Sequence, residues 1–346
     1  MGKRYVVTGG MGFFGSILAD YLVDQGHEVL SVDRLPEVDL TRRFKNAQLD
    51  ITDGAQLTKV MKEFGHIDAV FHVAALLAHE KSTLDRLWAS NVDGTRNVMQ
   101  AARELGIRKV VFTSTNCVFS TGFTKPVDES TPTNPVEIYG RSKLAGEKVI
   151  SEFADINSVI IRCPTIMAAG RLGLLTILFD FVLEGRRLYL VGDGSNRYSF
   201  IAAQDLANAC LLSAQSPCSG IYHVSSDNVP TMYELYSDLV HFAGKTPRIL
   251  CIPKGPTMLA LKLLNALSLS PLGPYHYRML AANFVFDTTK IKNDMGWCPT
   301  RTNNEILREA YQYYVDHLSQ INSSAGLSAH KSKAKAGILN VLRMIS

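Results

Sequence analysis

Tyr139 and Lys143 stand four residues apart in Tyr139-Gly140-Arg141-Ser142-Lys143. On a helix that spacing places both side chains on one face. An ammonium beside a phenol favours the phenolate and lowers its pKa from about 10. A phenol tuned in this way can take a proton from a substrate hydroxyl at neutral pH. Thr115, upstream at the end of the apolar run that starts at Lys109, offers a small hydroxyl that can bond the same oxygen. Alone, a Tyr-x-x-x-Lys pattern is equally an incidental pair on a surface helix. Its meaning depends on what precedes it.

What precedes it is a glycine turn close to the start of the chain. Tyr5-Val6-Val7-Thr8 runs into Gly9-Gly10-Met11-Gly12-Phe13-Phe14-Gly15. The order is strand, tight turn, helix start, and a helix start presents free N–H groups and a positive dipole end to an anion. The glycines Gly9, Gly12 and Gly15 serve a tight turn, close approach to a pyrophosphate and close helix–strand packing. Their first gap is one residue longer than in the GxGxxG dinucleotide pattern. Asp33 ends the second strand, where a carboxylate can bond the ribose hydroxyls and repel a 2′-phosphate. NAD is therefore expected rather than NADP, although Arg34 follows directly. Asp50 at the end of the third strand either faces the adenine edge or caps a helix. With a dinucleotide in place, Lys143 can also hold the nicotinamide ribose, and Tyr139 can take a proton as a hydride leaves carbon.

The elements that must position these residues alternate. Strands are expected at Tyr5–Thr8, Glu28–Val32, Ala47–Asp50, Ala69–Val73, Lys109–Thr113 and Ser158–Cys163, with helices near 14–25, 55–63, 84–105 and 138–153. That alternation predicts an α/β fold, a Rossmann-type doubly wound parallel sheet. Residues 1–165 are expected to form the NAD-binding domain. Residues 166–318 are expected to form a smaller α/β substrate-binding domain whose elements could interleave with the sheet. Residues 319–346 read as a basic flexible tail able to touch an anionic membrane, a partner or the body itself. The apolar stretch 256–272 reads as a buried helix, with a greasy lid or a membrane-facing surface as the alternative.

Bulk properties narrow the class. The chain has 346 residues, 46% hydrophobic and 20% charged, and a formal net charge of +4, which gives no basis for nucleic-acid binding. Its 6 cysteines form no C-x-x-C pair, so neither a metal site nor a disulfide framework is expected. No signal peptide precedes the first strand and no apolar run is long enough to span a membrane, so the cytoplasm is the expected compartment.

The whole set resembles the extended short-chain dehydrogenase/reductase family, and most of all its nucleotide-sugar epimerase/dehydratase branch. The resemblance covers residues 4–316. It rests on Thr8 to Gly15, Asp33, Asp50-Ile51, His72-Val73-Ala74-Ala75, Asn91-Val92-Asp93-Gly94-Thr95, Phe112 to Phe119, Tyr139 with Lys143, Arg162-Cys163-Pro164, Phe286 to Lys290, and Gly296-Trp297-Cys298-Pro299. It implies that Gly9, Gly12, Phe13, Phe14, Gly15, Asp33, Asp50, Ile51, Val73, Ala74, Ala75, Tyr139, Lys143 and Pro164 hold NAD. It implies Thr115, Tyr139 and Lys143 as the catalytic set, and a homodimer through the helices near 84–105 and 138–153.

Other positions bear on the substrate. The 4,6-dehydratases of the branch carry Asp-Glu after the residue matching Thr115; here Asn116-Cys117 stand there, so a dehydratase is disfavoured. Cys117 resembles the cysteine of the 3,5-epimerases, or is a small buried residue at a strand end. His79 is either an acid/base or substrate contact, or a loop histidine. Arg197 and Arg278 resemble the two arginines placed on a substrate diphosphate, or make surface ion pairs. Thr165 stands where 4-epimerases commonly carry Asn. The expected function is an NAD-dependent enzyme acting on a secondary hydroxyl, foremost an epimerase of nucleoside-diphosphate sugars. The alternatives are a net alcohol dehydrogenase of the 3β-hydroxysteroid type on a sterol-like or lipid substrate, and a non-catalytic NAD-binding regulator.

Overall fold

The computed structural model describes residues 2–37, 41–77, 84–120, 122–171, 175–266 and 282–323. The first half alternates strand and helix: β1 (Arg4–Thr8), α1 (Phe13–Asp24), β2 (Glu28–Asp33), β3 (Lys45–Gln48), α2 (Gly54–Phe64) and β4 (Ala69–His72). It continues through α3 (Leu84–Trp88), α4 (Gly94–Glu104), β5 (Lys109–Thr115), α5 (Ile138–Ser151) and β6 (Asn157–Cys163). The second half holds β7 (Thr165–Met167), α6 (Leu175–Leu183), β8 (Leu188–Val191), β9 (Phe200–Ala202), α7 (Ala203–Gln215), β10 (Gly220–His223), α8 (Met232–Phe242), β11 (Ile249–Ile252) and α9 (Lys254–Ala266). Three helices follow at Thr289–Met295, Asn303–Asp316 and Leu318–Ser323.

Seven strands pair in the order β10-β6-β5-β4-β1-β2-β3, every pair parallel. A parallel sheet is covered on both faces, which is why its strands read as near-continuous apolar runs. One face packs Tyr5, Val7, Phe71, Val111 and Ile161 against Leu18 and Leu22 of α1 and Leu206 and Cys210 of α7, with Trp297 at its edge. The other packs Val6, Val70, Val110 and Phe112 against Leu57 and Met61 of α2, Val98 and Ala102 of α4, and Val149 and Ile150 of α5. The order in which strands are added reverses between β1 and β4. At such a point the carboxyl ends of neighbouring strands leave a crevice where α/β sheets bind ligands.

The second half is interleaved with the sheet. α7 lies against α1, and β10 adds the seventh strand beside β6. Away from the sheet, Phe179, Val182, Leu235, Leu239, Ile306, Leu307 and Tyr314 form a separate small core with the strand pairs β8–β11 and β7–β9 beside it.

Three local expectations change. The helix expected over 84–105 is broken: a π-helical turn at Ala89–Asp93 separates α3 from α4. β5 continues to Thr115 because Ser114 and Thr115 pair with Arg162 and Cys163. In the stretch 256–272 residues 256–266 belong to α9, where Leu259 and Leu263 are 60% and 58% exposed rather than buried, and the rest of the stretch lies outside the described residues. Among the described residues no helix is long and apolar enough to cross a membrane.

Candidate active site

The turn after β1 is packed at separations only glycine permits. Gly9 has φ +75°, and a Cβ there would lie 2.7 Å from the Ala74 Cα. At Gly15 a Cβ would lie 2.0 Å from the Gly9 carbonyl oxygen. Gly12 is the N-cap of α1 and brings no capping side chain, so the first-turn amides and the positive helix end face outward from the turn. Phe14 is buried in the core, and Phe13 lies under the Arg171 guanidinium at 5.2 Å. Asp33 is fixed beside the turn by accepting from the Met11 and Leu35 N–H groups, each at 2.9 Å. A helix start without a side-chain cap, a glycine cradle and one fixed carboxylate are the donor and acceptor set that a dinucleotide with free ribose hydroxyls requires. Asp50 holds the next turn through the Thr52 N–H and hydroxyl, and the cap of α2 is Asp53 instead. Ile51 packs under Gly94, and its carbonyl accepts from Asn97.

A buried polar chain ties this turn to the loop after β4. Thr95 donates to the Asn91 carbonyl at 2.8 Å, so its oxygen accepts from His72 Nε2 at 2.9 Å. His72 Nδ1 then accepts from Thr8 Oγ1 at 2.7 Å, and Thr8 Oγ1 in turn accepts from the Ala74 N–H. Burial pushes the His72 imidazole down to about 3, with the Lys143 charge acting in the same direction, so the ring is neutral as the chain demands. Asn91 completes the frame: its carboxamide pairs with both the N–H and the carbonyl of Leu76, and its amide also donates to Ser142 on α5. The π turn is what turns Asn91 inward, and such turns concentrate at functional sites. Val73, Ala74 and Ala75 are thereby held next to the glycine turn.

The chemistry sits where β5 ends against α5. Thr115 caps a short 3₁₀ turn, Asn116–Val118, by accepting from the Cys117 N–H at 3.1 Å. Glu137 caps α5 through the Tyr139 and Gly140 amides, at 2.7 and 2.6 Å. Gly140 lets the two elements touch, since a Cβ there would lie 2.1 Å from the Cys117 carbonyl oxygen. Tyr139 is thus seated against the Thr115–Cys117 turn. Lys143 is 2% exposed, with its ammonium 4.0 Å from the centre of the Phe112 ring. Pro164 is buried between β6 and β7.

The electrostatics differ from what the four-residue spacing predicts. Burial holds the Tyr139 phenol well above 10, and the cation that acts against this is Arg171, not Lys143. Burial also depresses the Lys143 ammonium to about 8, against the opposing pull of Cys163 and Glu147. Desolvation outweighs the neighbouring charges at both groups, with Lys143 buried and Tyr139 half-buried beside the end of β5. The Cys163 thiol, also buried, is pushed up to about 12. Cys117 is buried at the turn, with its sulfur 3.8 Å from Asn116 Oδ1.

Glu147, Arg171 and Tyr198 of this site were not singled out by type or spacing in the sequence. Beneath Thr115, Glu147 of α5 pairs with Arg162 of β6 (Nη2–Oε2 2.6 Å, Nε–Oε1 3.0 Å) and accepts from the Ser114 hydroxyl. This buried pair binds β5, β6 and α5 into one unit. Tyr198 bonds Asn116, and Arg171 bonds the Ile166 carbonyl. Arg197 is exposed, and its guanidinium donates to the Val229 carbonyl. His79 and Arg278 lie outside the described residues.

The chain is similar to known proteins in sequence and in fold. The family model described as the NAD dependent epimerase/dehydratase family matches residues 5–225. A Sinorhizobium fredii protein, y4nG, is 36% identical over 98% of this chain and 85% of its own length. The UDP-glucose 4-epimerase of Mycolicibacterium smegmatis is 32% identical over 63% of this chain and 74% of its own. A 3 beta-hydroxysteroid dehydrogenase/Delta 5→4-isomerase of Mycobacterium tuberculosis is 28% identical over 93% of both chains. Among solved structures, the UDP-glucose 4-epimerase of Thermotoga maritima, crystallised with UDP-glucose, superimposes with a TM-score of 0.72 at 22% identity, covering 91% of this chain and 99% of its own.

Proposed function

The chain belongs to the NAD-dependent epimerase/dehydratase family, and on the geometry of its site we propose that it oxidises a secondary hydroxyl of a nucleoside-diphosphate sugar and re-reduces it as the epimer. The observation that carries this reading is the close approach of α5, with Tyr139 in its first turn, to the Cys117 carbonyl through Gly140, at the carboxyl edge of the strands that also hold the glycine turn. NAD, when bound, accepts the hydride and can return it. Gly9, Gly12, Phe13, Phe14 and Gly15 offer backbone to its pyrophosphate, Asp33 its adenosine ribose, Asp50 and Ile51 its adenine side. Val73, Ala74, Ala75 and Pro164 line its path, and Lys143 binds the nicotinamide ribose. Tyr139 takes the hydroxyl proton and Thr115 bonds the same oxygen. A positive charge brought near Tyr139 lowers a phenol that burial has raised. Arg197 and Arg278 are the proposed contacts for the diphosphate, and Cys117 or His79 the proposed further proton carrier. The absence of a carboxylate pair at Asn116-Cys117 argues against elimination of water. The similarity to a UDP-glucose 4-epimerase supports the sugar-nucleotide class.

One observation favours a second reading, oxidation of a sterol-like or lipid alcohol. Leu259 and Leu263 of α9 are exposed, and the steroid dehydrogenase relative matches over 93% of both chains. In either case we place the protein in the cytoplasm as a homodimer through the face of α3–α5, where Leu84 and Trp88 are exposed, with membrane contact, if any, through the tail.

The test is turnover with UDP-glucose and UDP-galactose, followed by sugar analysis and by NADH absorbance. Interconversion without NADH accumulation is expected, and Tyr139→Phe lowers it by about 10²–10⁴-fold with NAD still bound. Stoichiometric NADH from a 3β-hydroxysteroid, with no turnover of any sugar nucleotide, overturns the first reading in favour of the second.

A further inference from the structure

Lys143 is a buried ammonium, and a charge in such a place needs a counter-charge. The ionisable groups around it are Tyr139 and Glu147 on its own helix, His72 of β4 and Cys163 of β6. Burial keeps the proton on the Tyr139 phenol, and the His72 ring is neutral. The Cys163 thiol, pushed up to about 12, also keeps its proton at neutral pH. Of these groups Glu147 is left as the anion that acts on Lys143.

The geometry gives Glu147 a fixed place. Lys143 and Glu147 are four residues apart on α5 and share one face. They are 2% and 5% exposed. Both reach β5: the Lys143 ammonium lies 4.0 Å from the centre of the Phe112 ring, and Glu147 Oε1 accepts from the Ser114 hydroxyl. Phe112 and Ser114 are two apart on the strand and stand on the same face. The Arg162 fork holds both carboxylate oxygens, and Arg162 is the register partner of Ser114 across β5 and β6. Arg162 itself lies 5.1 Å from the centre of the Phe119 ring. An exposed Glu–Lys pair spends side-chain entropy to stay together and is screened by water. A carboxylate held at both oxygens inside the protein has already lost that freedom.

We propose that Glu147 is a positioning residue of the active site that acts through Lys143: fixed by Arg162 and Ser114, its carboxylate is the buried counter-charge of the ammonium. The role rests on the hydride-transfer reading given above, in which Lys143 binds the nicotinamide ribose as a cation. The same carboxylate takes up the charge of Arg162, so that the guanidinium is not left to oppose Lys143. A pair that only welds β5, β6 and α5 together would hold them equally well without acting on the Lys143 proton. The titration of Lys143 separates the two roles.

That titration is read by NMR of the full chain carrying lysine labelled with carbon-13 at Cε, the Lys143 resonance being the one that Lys143→Met lacks. In the wild type its midpoint is expected near 8. Glu147→Gln alone leaves the Arg162 guanidinium buried without a partner. The decisive variant is therefore Glu147→Gln with Arg162→Met, which removes both charges together. Loss of the anion disfavours the ammonium, so the midpoint should fall by about 1 pH unit in the double variant. It should fall further in Glu147→Gln, where Arg162 opposes Lys143. Arg162→Lys keeps both charges and should leave the midpoint where it is. In sugar-nucleotide turnover, the pH above which kcat declines should move down together with the midpoint. A double variant with wild-type circular dichroism and an unmoved Lys143 midpoint overturns the proposal. So does an equal fall in Arg162→Lys, which would trace the effect to the shape of the fork and not to charge. If the wild-type protein turns over no sugar nucleotide, the substrate reading fails by itself, and the titration still decides the role of Glu147.

Discussion

Tyr139 and Lys143 are both held against their charged forms, one pushed up and the other down by the same burial. A buried ammonium of this kind costs stability that a neutral side chain of similar size does not. The shift from 10.5 to about 8 corresponds to a cost on the order of 3 kcal/mol at pH 7. Lys143→Met should therefore raise the unfolding free energy at pH 7 by about 2–3 kcal/mol while abolishing turnover. The sign over pH follows from proton counts. Between the folded value near 8 and the unfolded value near 10.5, the unfolded chain binds more protons, so wild-type stability rises with pH there. The advantage of the Met variant shrinks through that window and is gone above it. Urea denaturation at pH 7, 9 and 10.5 checks this, and a Met variant less stable than wild type at pH 7 would sink it. Thr115, Tyr139 and Lys143 were singled out by their types, their order in the chain and the family resemblance they complete. Their electrostatics were not legible, because spacing says which face of a helix a residue shares and nothing of how deeply that face is buried. Arg171 comes from a loop far along the chain, and no local pattern connects it with Tyr139.

At the scale of elements, α5 delivers Tyr139 only because it can come close to the turn at Asn116–Val118 and to the π turn at Ala89–Asp93. Gly140 meets the Cys117 carbonyl, and Gly146 has the Asn91 carbonyl 3.0 Å from where a Cβ would be. Backbone cannot step aside as a flexible side chain does. Gly140→Ala is expected to gain about 1 kcal/mol of helix propensity and to lose more by overpacking, leaving a net loss of about 1–2 kcal/mol. Displacing the phenol by less than a helical turn should lower kcat by about 10²-fold, with NAD affinity preserved. Gly255→Ala on α9, where a Cβ meets nothing within 4 Å, is the control and should leave turnover unchanged. Full activity in Gly140→Ala would show that the contact does not place Tyr139. The strand–helix alternation of the first half was readable because buried parallel strands leave long apolar runs. The π turn was not, since one extra residue in a helix hardly alters the hydrophobic period; Asn91 shows its purpose only when the Leu76 backbone is seen beside it. β10 was equally hidden, because its pairing with β6 is set by tertiary topology and not by neighbours in sequence.

At the scale of the whole molecule, two histidines are fully buried and neutral among the described residues, and together they contribute most to its response to acid. His72 lies between Thr8 and Thr95, facing the Lys143 charge. His223 lies against Phe286 at 4.3 Å, with Arg162, Lys290 and Asp128 as the charges acting on it. Its Nδ1 donates to the Val127 carbonyl, and its buried Nε2 has no hydrogen-bond partner among the described residues. Burial is the main cause that lowers both rings to about 3. Between pH 6.5 and 3 the unfolded chain binds two protons that the folded chain refuses, so stability falls as the pH falls. The slope from the pair is about 2.7 kcal/mol per pH unit. Glu129 and Glu137, held above the ordinary carboxylate range by burial, act the other way as the pH drops through their raised values. The histidine contribution begins near 6.5. His223→Phe fits an aromatic cluster that already holds Phe119, Phe284 and Phe286, at the loss of the Val127 bond. That variant should be somewhat less stable at neutral pH, yet its slope between pH 6.5 and 5 should fall to about half, near 1.4 kcal/mol per pH unit. Chemical denaturation at half-unit steps measures both quantities. A slope that His223→Phe leaves untouched would mean that this ring protonates inside the fold, and the neutral, half-satisfied imidazole described here would then be wrong.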